Sequence, residues 1–303
     1  MNIKSEFGTH SGKVFKSELM IVSPGVPANS IIVREAKSRR IPVWPEVELA
    51  YRICEGKIIG VTGSNGKTTT TTLLGEILKK GKRQTFVCGN IGHPFISIAA
   101  EVRVDGFAVV ELSSFQLELI EEFRPDIAVF LNISPDHLDR HGDLAAYIAA
   151  KMRIFENQKQ IDKAVVNYDD VTLRERCNHL KAKTAWYSVQ KPMEDGVWAD
   201  PDGDILAGTI KMMNSRQLKI KGVHNLSNAC AATLAALEVG IEIDDIVEAL
   251  RSFPGVEHRL EPVRLIGGVS FINDSKGTNV DSVYWALQAV SAPVILIAGG
   301  KDK

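Results

Sequence analysis

A glycine-rich stretch at residues 60–70, Gly-Val-Thr-Gly-Ser-Asn-Gly-Lys-Thr-Thr-Thr, contains the residue types that bind phosphate groups. Glycines let the backbone approach phosphate oxygens, and N–H groups at a helix start supply donors and a favourable dipole. Lys67 is placed to reach the β- and γ-phosphates of a nucleotide, and Thr68 offers its hydroxyl to Mg²⁺. The strict phosphate-loop pattern needs a glycine where this sequence has Val61. An ordinary capped strand-to-helix turn is therefore the alternative, but the combination of residues favours a phosphate site.

Three further positions carry side chains that could work beside such a loop. Glu111 follows an apolar run, where phosphate-loop proteins commonly hold a Mg²⁺-linked acid. Taken alone, a carboxylate there could equally stabilise a helix start, but together with the phosphate loop the metal role is favoured. His137 and His141 have the i, i+4 spacing of a zinc pair, but no further soft ligand is nearby, and a hydrogen-bonding role is more common for such a histidine. Lys151 lies among small apolar residues of a predicted helix, and its residues alone indicate a helix-surface lysine.

The second half of the chain adds two polar segments. Asn225 and Asn228 lie three residues apart at the start of an alanine-rich helical pattern, where their amides could bind a nucleobase edge or cap the helix. Residues 258–261 and 273–279 are charge-rich loops. An arginine there could neutralise a transferring phosphoryl group and a lysine could orient a carboxylate, or the charges could simply be solvated.

The elements that must position these residues follow from hydrophobic periodicity. Strands are predicted at 57–61, 84–88, 106–111, 126–132 and 163–167, with helices between them at about 66–80, 92–101, 113–122 and 142–158. This alternation indicates an α/β fold whose central, P-loop-type sheet is mostly parallel with helices on both faces. The loops that carry residues 63–67, Asn90, Glu111 and His137 should then meet at the carboxyl edge of the sheet, where ligands bind.

Shorter α/β pieces are predicted on either side of this central domain, which we place at 47–255. Residues 1–46 read as a partial Rossmann-like unit with a strand at about 18–22, a helix at 30–39 and a strand at 41–43. Residues 182–222 are rich in turns and predict an antiparallel appendage to the main sheet, and helices follow at 225–237 and 243–252. Residues 256–303 read as the start of a Rossmann-like domain, with a strand at 269–273, a helix at 280–290 and a strand at 294–298.

Composition narrows the functional class. The chain has 303 residues, a formal net charge of −1 and 45% apolar residues, which gives no electrostatic case for nucleic acid or an anionic membrane. No apolar run approaches the roughly 20 residues that span a bilayer. The four cysteines are dispersed without a C-x-x-C pair, as expected for reduced thiols. We therefore expect a cytoplasmic protein that binds neither nucleic acid nor membrane.

Taken together, these stretches resemble the Mur ligases, and most closely their D-glutamate-adding branch. Residues 62–69 are similar to that superfamily's variant phosphate loop, which accounts for Val61. Glu-Leu-Ser-Ser-Phe-Gln-Leu-Glu at 111–118 and Asn-Ile-Ser-Pro-Asp-His-Leu-Asp-Arg at 132–140 resemble the D-glutamate-adding branch in particular. Further matching stretches lie at 23–27, 89–92, 224–228, 258–259 and 273–276.

The resemblance implies a monomeric, ATP-dependent ligase that adds D-glutamate to UDP-N-acetylmuramoyl-L-alanine through an acyl phosphate in peptidoglycan precursor synthesis. It implies domains at 1–46 for the UDP-substrate, at 47–255 for ATP and at 256–303 for the start of the C-terminal ligase domain, with the enzyme cut short at both ends. A sister Mur or folylpolyglutamate-type ligase is the alternative enzyme, although the Ser-Ser-Phe-Gln stretch speaks against it. A non-catalytic ATP-binding fragment is the alternative from another class.

The resemblance also implies roles for single residues. ATP would be bound by Gly63, Ser64, Asn65, Gly66, Lys67, Thr68, Thr69, Asn225, Asn228, His258, Arg259 and Asp274. Two Mg²⁺ ions would be held by Thr68, Glu111, His137 and Lys151, with Lys67, His137 and Lys151 as the catalytic residues. Ser23 and Asn90 would contact the muramoyl substrate, and Lys276, Thr278 and Lys303 the D-glutamate. Lys151 would be carbamylated on its amine, which turns a cation into the oxygen-donating anion that Mg²⁺ prefers.

Overall fold

The structure is a computed structural model that describes residues 5–8, 10–290 and 293–300. Its first unit is a small βαβ piece that follows a 3₁₀ turn at Gly12–Lys16. The elements are β1 (Met20–Val22), α1 (Ile31–Ser38), β2 (Val43–Pro45) and the connecting helix α2 (Glu46–Ile53). The two strands pair in parallel, as the sequence predicts. Leu119 of the next unit joins this unit's small core, so the two units are packed together.

The main sheet has nine strands within the described chain, in the order β11-β10-β9-β8-β7-β6-β3-β5-β4. These strands are β3 (Lys57–Thr62), β4 (Thr85–Gly89), β5 (Phe107–Glu111), β6 (Ile127–Phe130), β7 (Lys163–Asn167), β8 (Lys183–Ser188), β9 (Val197–Ala199), β10 (Asp204–Ala207) and β11 (Ile210–Asn214). All pairings from β4 to β9 are parallel. The predicted P-loop-type, mostly parallel α/β sheet is confirmed.

Helices cover both faces of this sheet. They are α3 (Lys67–Lys80), α4 (Ser114–Leu117), α5 (Leu138–His141), α6 (Leu144–Met152), α7 (Val171–Arg176), α8 (Val223–Leu237) and α9 (Ile243–Ser252). Successive strand residues point to opposite faces. Accordingly Ile59 and Val61 pack in the cluster that contains α3, α8 and α9, and Ile58 packs in the cluster on the other face. Burial on both faces explains why these strands read as continuous apolar runs.

Two predicted helices are wrong. Residues 92–101 form two 3₁₀ turns, Phe95–Ser97 and Ala99–Glu101, because Gly92 has a φ of +63° and the N–H of Gly89 bonds back to the carbonyl of His93. The helix predicted at 113–122 is only the single turn α4, which ends at Leu117. Backbone N–H groups of residues 121–123 donate instead to the buried carboxylate of Glu48 on α2, so the chain leaves the helix to satisfy that charge.

The antiparallel appendage predicted at 182–222 is wrong for its first strand. β8 pairs in parallel with β7 through a crossover that contains α7, a helix that the sequence pattern does not predict. Within this segment the antiparallel pairings are those of β10 with β9 and with β11. Apolar residues on β8 and β9 such as Tyr187 and Val197 continue the main core. The sheet is therefore extended rather than flanked by a separate piece.

The last unit is a hairpin and a helix: β12 (Glu261–Ile266), β13 (Val269–Asn273) and α10 (Val280–Gln288). The sequence pattern does not predict β12, which pairs antiparallel with β13. The strand predicted at 294–298 is wrong, since residues 293–300 form no regular element. Ile295 and Ile297 are more than nine-tenths exposed, so no described residue covers these two side chains. Across the described ranges, every helix is too short or too polar to span a bilayer.

Candidate active site

The loop predicted to bind phosphate, called the phosphate loop below, connects β3 to α3 at the carboxyl edge of the sheet, where the sequence places it. Gly66 precedes the first residue of α3 with a φ of +83°, a conformation that L side chains rarely adopt. A Cβ atom on Gly66 would lie 2.2 Å from Oδ1 of Asn228, which is buried on α8. Gly66 is therefore required both by backbone conformation and by the close approach of α8 to the loop.

We expect Gly66→Ala to destabilise the protein by about 1–3 kcal/mol and to weaken nucleotide binding, because it adds a clash to the backbone strain. Gly240→Ala is the matched control: Gly240 has a φ of +73°, but no described atom lies within 4 Å of the position that its new methyl group would take, so it reports backbone strain alone. Chemical denaturation of both variants measures the difference. Equal losses of unfolding free energy would contradict the role assigned to the contact with Asn228.

Lys67 is the first residue of α3, and its amine lies over the loop. The Nζ atom donates to the carbonyls of Gly63 and Ser64 at 2.9 and 2.8 Å. Burial lowers the pKa of Lys67 below its ordinary value, and the neighbouring Glu111 and Asp136 carboxylates oppose that shift. The amine is thus held at the centre of the loop, in contact with backbone that a phosphate group would approach.

A hydroxyl and a carboxylate meet next to this loop. The Thr68 hydroxyl donates to Oε2 of Glu111 at 2.8 Å, and Glu111 is 2% exposed at the end of β5. The side chain of Asn90, on the loop after β4, donates to the other carboxylate oxygen at 3.0 Å. Parallel neighbours β4, β5 and β3 bring these three residues to one edge, as predicted. The pair of hard oxygen atoms suits Mg²⁺.

Lys151 is buried, and the interpretation of it as a helix-surface lysine is wrong. It is 1% exposed on α6, and its Nζ atom donates to the carbonyl of Gly63 at 2.9 Å. That is the same carbonyl that accepts from Lys67. Burial, and then the nearby charge of Lys67, lower the pKa of Lys151 well below its ordinary value. The structure thus brings two amines to one oxygen of the phosphate loop, and the amine of Lys151 is biased toward its neutral form.

The loop after β6 completes this edge. Asn132 accepts from the N–H of Asn65 at 2.8 Å, and the Ser64 hydroxyl donates to the carbonyl of Ser134 at 2.9 Å. His137 follows with a φ of +53°, and its Nε2 atom lies 3.7 Å from the Asp136 carboxylate. The Asn132 side chain and the Ser134 carbonyl therefore join this loop to the phosphate loop, and His137 follows them in the chain.

The fit of these residues to metal ions can be judged from their chemistry. Within residues 5–8, 10–290 and 293–300, no three His, Cys, Asp or Glu side chains lie close enough together to bind a metal ion. Mg²⁺ is commonly held by one or two carboxylates together with substrate phosphates and water, so a site at Thr68 and Glu111 fits that pattern. A second site at His137 and Lys151 fits only if Lys151 gains an anionic oxygen, since an amine is a poor Mg²⁺ ligand.

A cavity of about 330 Å³ opens beside the phosphate loop. Among the predicted nucleotide-binding residues, its lining includes Asn65, Gly66, Thr69, Asn225, Asn228, Arg259 and Asp274. It lies between α8, the loops after β6 and β7, and the last unit. Arg259 is half-buried, and the partial loss of its hydration lowers its pKa, while the Asp274 carboxylate opposes that shift. The structure therefore brings residues of the central and last units together around one cleft.

Other predicted residues lie outside this lining. His258 is exposed and pairs with Asn273 at 2.9 Å instead of facing the cleft. Ser23 and Thr278 are also exposed, and Lys276 is half-buried, with its N–H donating to the carbonyl of His258. Lys303 lies outside the described residues.

Residues that the sequence pattern does not single out join the cleft from distant parts of the chain. Asn279 and Asp281, at the start of α10, both bond to the side chain of Asn65, at 3.1 and 2.6 Å. Trp285 on the same helix and Asp169 after β7 also line the cavity. No local pattern could have found them, because the contacts span up to 216 residues of sequence. The capping spacing Asn279–Ser282 was the one available signal, and it predicts only the helix start.

A mostly parallel sheet, a glycine-rich loop of the phosphate-binding type at its carboxyl edge and a cleft beside that loop define a P-loop-type α/β protein. The family model described as the Mur ligase middle domain matches residues 61–236, which is more than half of the chain. The chain belongs to the Mur ligase family.

Individual relatives agree with this assignment. The chain is 48% identical over 290 residues to a UDP-N-acetylmuramoylalanine–D-glutamate ligase from Alkaliphilus oremlandii, and 46% identical over 289 residues to one from Alkaliphilus metalliredigens. Each match covers 94% of this chain and 64% of the relative, so the chain spans a little under two thirds of their length. It also shares the fold of the MurF ligase from Thermotoga maritima in complex with ADP, with a TM-score of 0.63, 20% identity and coverage of 91% of this chain and 73% of that one.

Proposed function

We propose that this chain carries the nucleotide-binding and acyl-activating part of an ATP-dependent ligase that joins D-glutamate to UDP-N-acetylmuramoyl-L-alanine. The observation that carries the proposal is the convergence of Lys67, Lys151 and the Thr68–Glu111 pair around the phosphate loop. Relatives that are 46–48% identical bear the name of that ligase. We further propose a monomeric, cytoplasmic enzyme of peptidoglycan precursor synthesis.

The proposed reaction begins with phosphoryl transfer. A carboxylate of the alanyl substrate attacks the γ-phosphorus of ATP, and the bond from that phosphorus to the bridging oxygen breaks. ADP leaves, and the substrate carboxylate has become an acyl phosphate. The protein's task in such a step is positioning and charge stabilisation. Lys67 supplies a cation at the loop, and backbone N–H groups at the start of α3 supply further donors.

Acyl transfer follows. The neutral amine of D-glutamate attacks the acyl carbonyl, a tetrahedral intermediate forms, and phosphate leaves while the nitrogen loses a proton. We assign Ser23 and Asn90 to the muramoyl substrate and Lys276, Thr278 and Lys303 to D-glutamate. The residues assigned to the nucleotide outside the phosphate loop are Asn225, Asn228, Arg259 and Asp274, which line the cleft, and His258, which is exposed and precedes Arg259 in the chain.

Two Mg²⁺ ions would neutralise oxygen atoms on which negative charge accumulates. Thr68 and Glu111 are proposed to hold one of them, and His137 with carbamylated Lys151 the other. The burial and lowered pKa of Lys151 support carbamylation, since only the neutral amine reacts with carbon dioxide. The product is an anion with two oxygen donors, which can ligate a metal ion together with His137 in a way that the unmodified lysine cannot.

The test is an amino-acid comparison. The chain is incubated with Mg-ATP and UDP-N-acetylmuramoyl-L-alanine, and product mass and phosphate release are followed with D-glutamate, L-glutamate, L-lysine or meso-diaminopimelate. We expect D-glutamate to be favoured on the order of 100-fold, because a site built for a charged side chain rejects analogues that leave its polar groups unpaired.

Three results would contradict the proposal in different ways. Faster turnover with another amino acid would identify a sister ligase. Hydroxylamine trapping of an acyl phosphate without any ligated product would limit the chain to activation. Nucleotide binding with neither product would identify a non-catalytic nucleotide-binding module.

A further inference from the structure

Arg140 connects two parts of the molecule that the proposed function needs to hold in register. Its guanidinium donates to three successive backbone carbonyls of the turn after β1: those of Pro24 at 3.3 Å, Gly25 at 3.4 Å and Val26 at 3.2 Å. These carbonyls lie more than 110 residues away in sequence, in the first unit. Three contacts to one turn fix its orientation as well as its distance.

The same guanidinium also contacts the central unit. Its Cζ atom lies 4.6 Å from the ring centroid of Phe115, and a terminal nitrogen lies 3.6 Å from the Glu118 carboxylate. The Arg140 side chain is 19% exposed. Cation–π and ion-pair contacts of a largely desolvated guanidinium are stronger than those at an exposed site. These contacts hold the Arg140 guanidinium against the central unit while its N–H groups donate to the turn.

Phe115 connects Arg140 to His137, which lies in the loop after β6. Its ring centroid lies 5.0 Å from that of His137 and 5.4 Å from that of His141, with the second pair stacked. His141 contacts the ring of Tyr147 at 5.3 Å, and the Tyr147 hydroxyl lies 3.1 Å from the Ser64 hydroxyl of the phosphate loop. A continuous run of ring contacts therefore leads from Arg140 to the loop that the proposal assigns to ATP.

We propose that Arg140 is a positioning residue for the ligase reaction, and that it fixes the turn at residues 23–26 relative to His137 and the phosphate loop. The proposal rests on the proposed function, which assigns Ser23 of this turn to the muramoyl substrate. A substrate that is bound by the turn reaches the phosphate loop only if the turn keeps its position relative to that loop. When the turn is displaced from this position, the substrate is bound less well where it can react, so the KM for that substrate rises.

The chemistry of the contact requires arginine. A guanidinium presents five N–H donors in a planar fork and stacks on an aromatic face at the same time. A lysine ammonium is a point charge that can keep the ion pair with Glu118 but cannot reach three carbonyls while lying flat on Phe115. Arg140→Lys therefore separates the charge of the residue from its geometry, and Arg140→Gln removes both.

Steady-state kinetics test the substrate part of the proposal. For Arg140→Lys we expect the KM for the muramoyl substrate to rise about tenfold, with the KM for ATP within about twofold of the parent value. Arg140→Gln should show the same split with a larger rise. Arg39→Lys is the matched control, since Arg39 also lies over an aromatic ring, that of Phe15 at 4.5 Å, and pairs with a carboxylate, but its side chain bonds to no backbone carbonyl of the described residues. A rise in both KM values alike, or in neither, would overturn the proposal.

Hydrogen exchange followed by mass spectrometry tests the structural part without any activity. The N–H of Val26 is bonded to the carbonyl of Ser23 within the turn, so its exchange reports the order of that turn. We expect faster exchange in peptides that cover residues 20–30 in both Arg140 variants and unchanged exchange in the Arg39→Lys control. Unchanged exchange in the Arg140 variants would overturn the link between the two units.

The two experiments keep this proposal distinct from the proposed function. If the parent chain forms no product with any amino acid, the proposed function is wrong. Hydrogen exchange alone then tests whether Arg140 fixes the turn at residues 23–26. If the parent forms product and the Arg140 variants match it in both experiments, the proposed function stands and the role of Arg140 is wrong.

Discussion

A Lys67→Ala variant is expected to bind Mg-ATP about 10- to 100-fold more weakly than the parent chain, because a hydrogen bond to a charged group contributes about 1.5–3 kcal/mol. Lys67 is the first residue of α3, and this position places its amine over the phosphate loop. Titration calorimetry with a non-hydrolysable analogue measures the change. The ligase activity should fall at least as far, since the same cation would face the transferring phosphoryl group.

The fold itself should survive this change. The amine of Lys67 donates to the carbonyls of Gly63 and Ser64, and the amine of Lys151 still satisfies the first of these. Lys79→Ala is the matched control on the same helix, because Lys79 is exposed and pairs, among the described residues, with Glu76 three positions away. Equal nucleotide binding by the parent, Lys67→Ala and Lys79→Ala would show that Lys67 is not the phosphate anchor.

A Lys151→Met variant is expected to lose ligase activity while the protein keeps or gains stability. Methionine has a similar length and no charge to desolvate, and Lys67 continues to donate to the carbonyl of Gly63. Replacing buried charged groups by apolar side chains is often neutral or stabilising, here by about 1 kcal/mol. Activity should be lost because methionine cannot carry the carbamate. Product formation measures the loss of activity, and thermal or denaturant unfolding of the same samples measures the change in stability.

The pH dependence of this stability difference has a definite sign. Folding lowers the pKa of Lys151 well below 10.5, so between the lowered value and 10.5 the unfolded chain binds a proton that the folded chain does not. Stability of the parent therefore rises with pH across that window. In carbon-dioxide-free buffer, the advantage of Lys151→Met over the parent should be larger at neutral pH than near pH 10.5. A pH-independent difference would contradict a lowered pKa.

Mass spectrometry of the native parent in bicarbonate buffer tests the modification itself. We expect a mass increase of one carbon dioxide that is absent in Lys151→Met and present in Lys159→Met, the control at an exposed lysine shortly after α6. Full activity of Lys151→Met, or a modified mass in that variant, would contradict the assignment of Lys151 as the carbamylated residue.

Local pattern was sufficient for much of the central fold. The apolar run that forms β3, the small and polar residues at 63–68 and the helical spacing in α3 are all properties of neighbouring residues, and they predict the phosphate loop and its place at the sheet edge. The position of Glu111 at a strand end is predicted for the same reason and agrees with the structure. The parallel order of strands follows from the alternation of strands and helices, since each crossover returns the chain to the same edge.

For the helix predicted at 113–122 and for strand β8, distant parts of the chain overrode the local preference. The helix predicted at 113–122 stops at Leu117, and N–H groups beyond it donate to the carboxylate of Glu48, more than 70 residues earlier. A buried carboxylate must be satisfied, and that requirement outweighs the small free-energy gain of another helical turn. Strand β8 lies in a segment whose turn residues predict an antiparallel piece. Its parallel pairing with β7 is a tertiary contact that the local pattern does not indicate.

By itself, then, the sequence determined the α/β class, the phosphate loop and the resemblance to the Mur ligases, because each depends on residue types at short spacing. Only the tertiary structure decided that Lys151 is buried, that its amine shares a carbonyl with Lys67, and that Arg140 joins the turn at residues 23–26 to the loop of His137. Burial and electrostatic environment are set by what packs around a side chain. For these residues the neighbours come from segments that lie about 90 to 115 positions away.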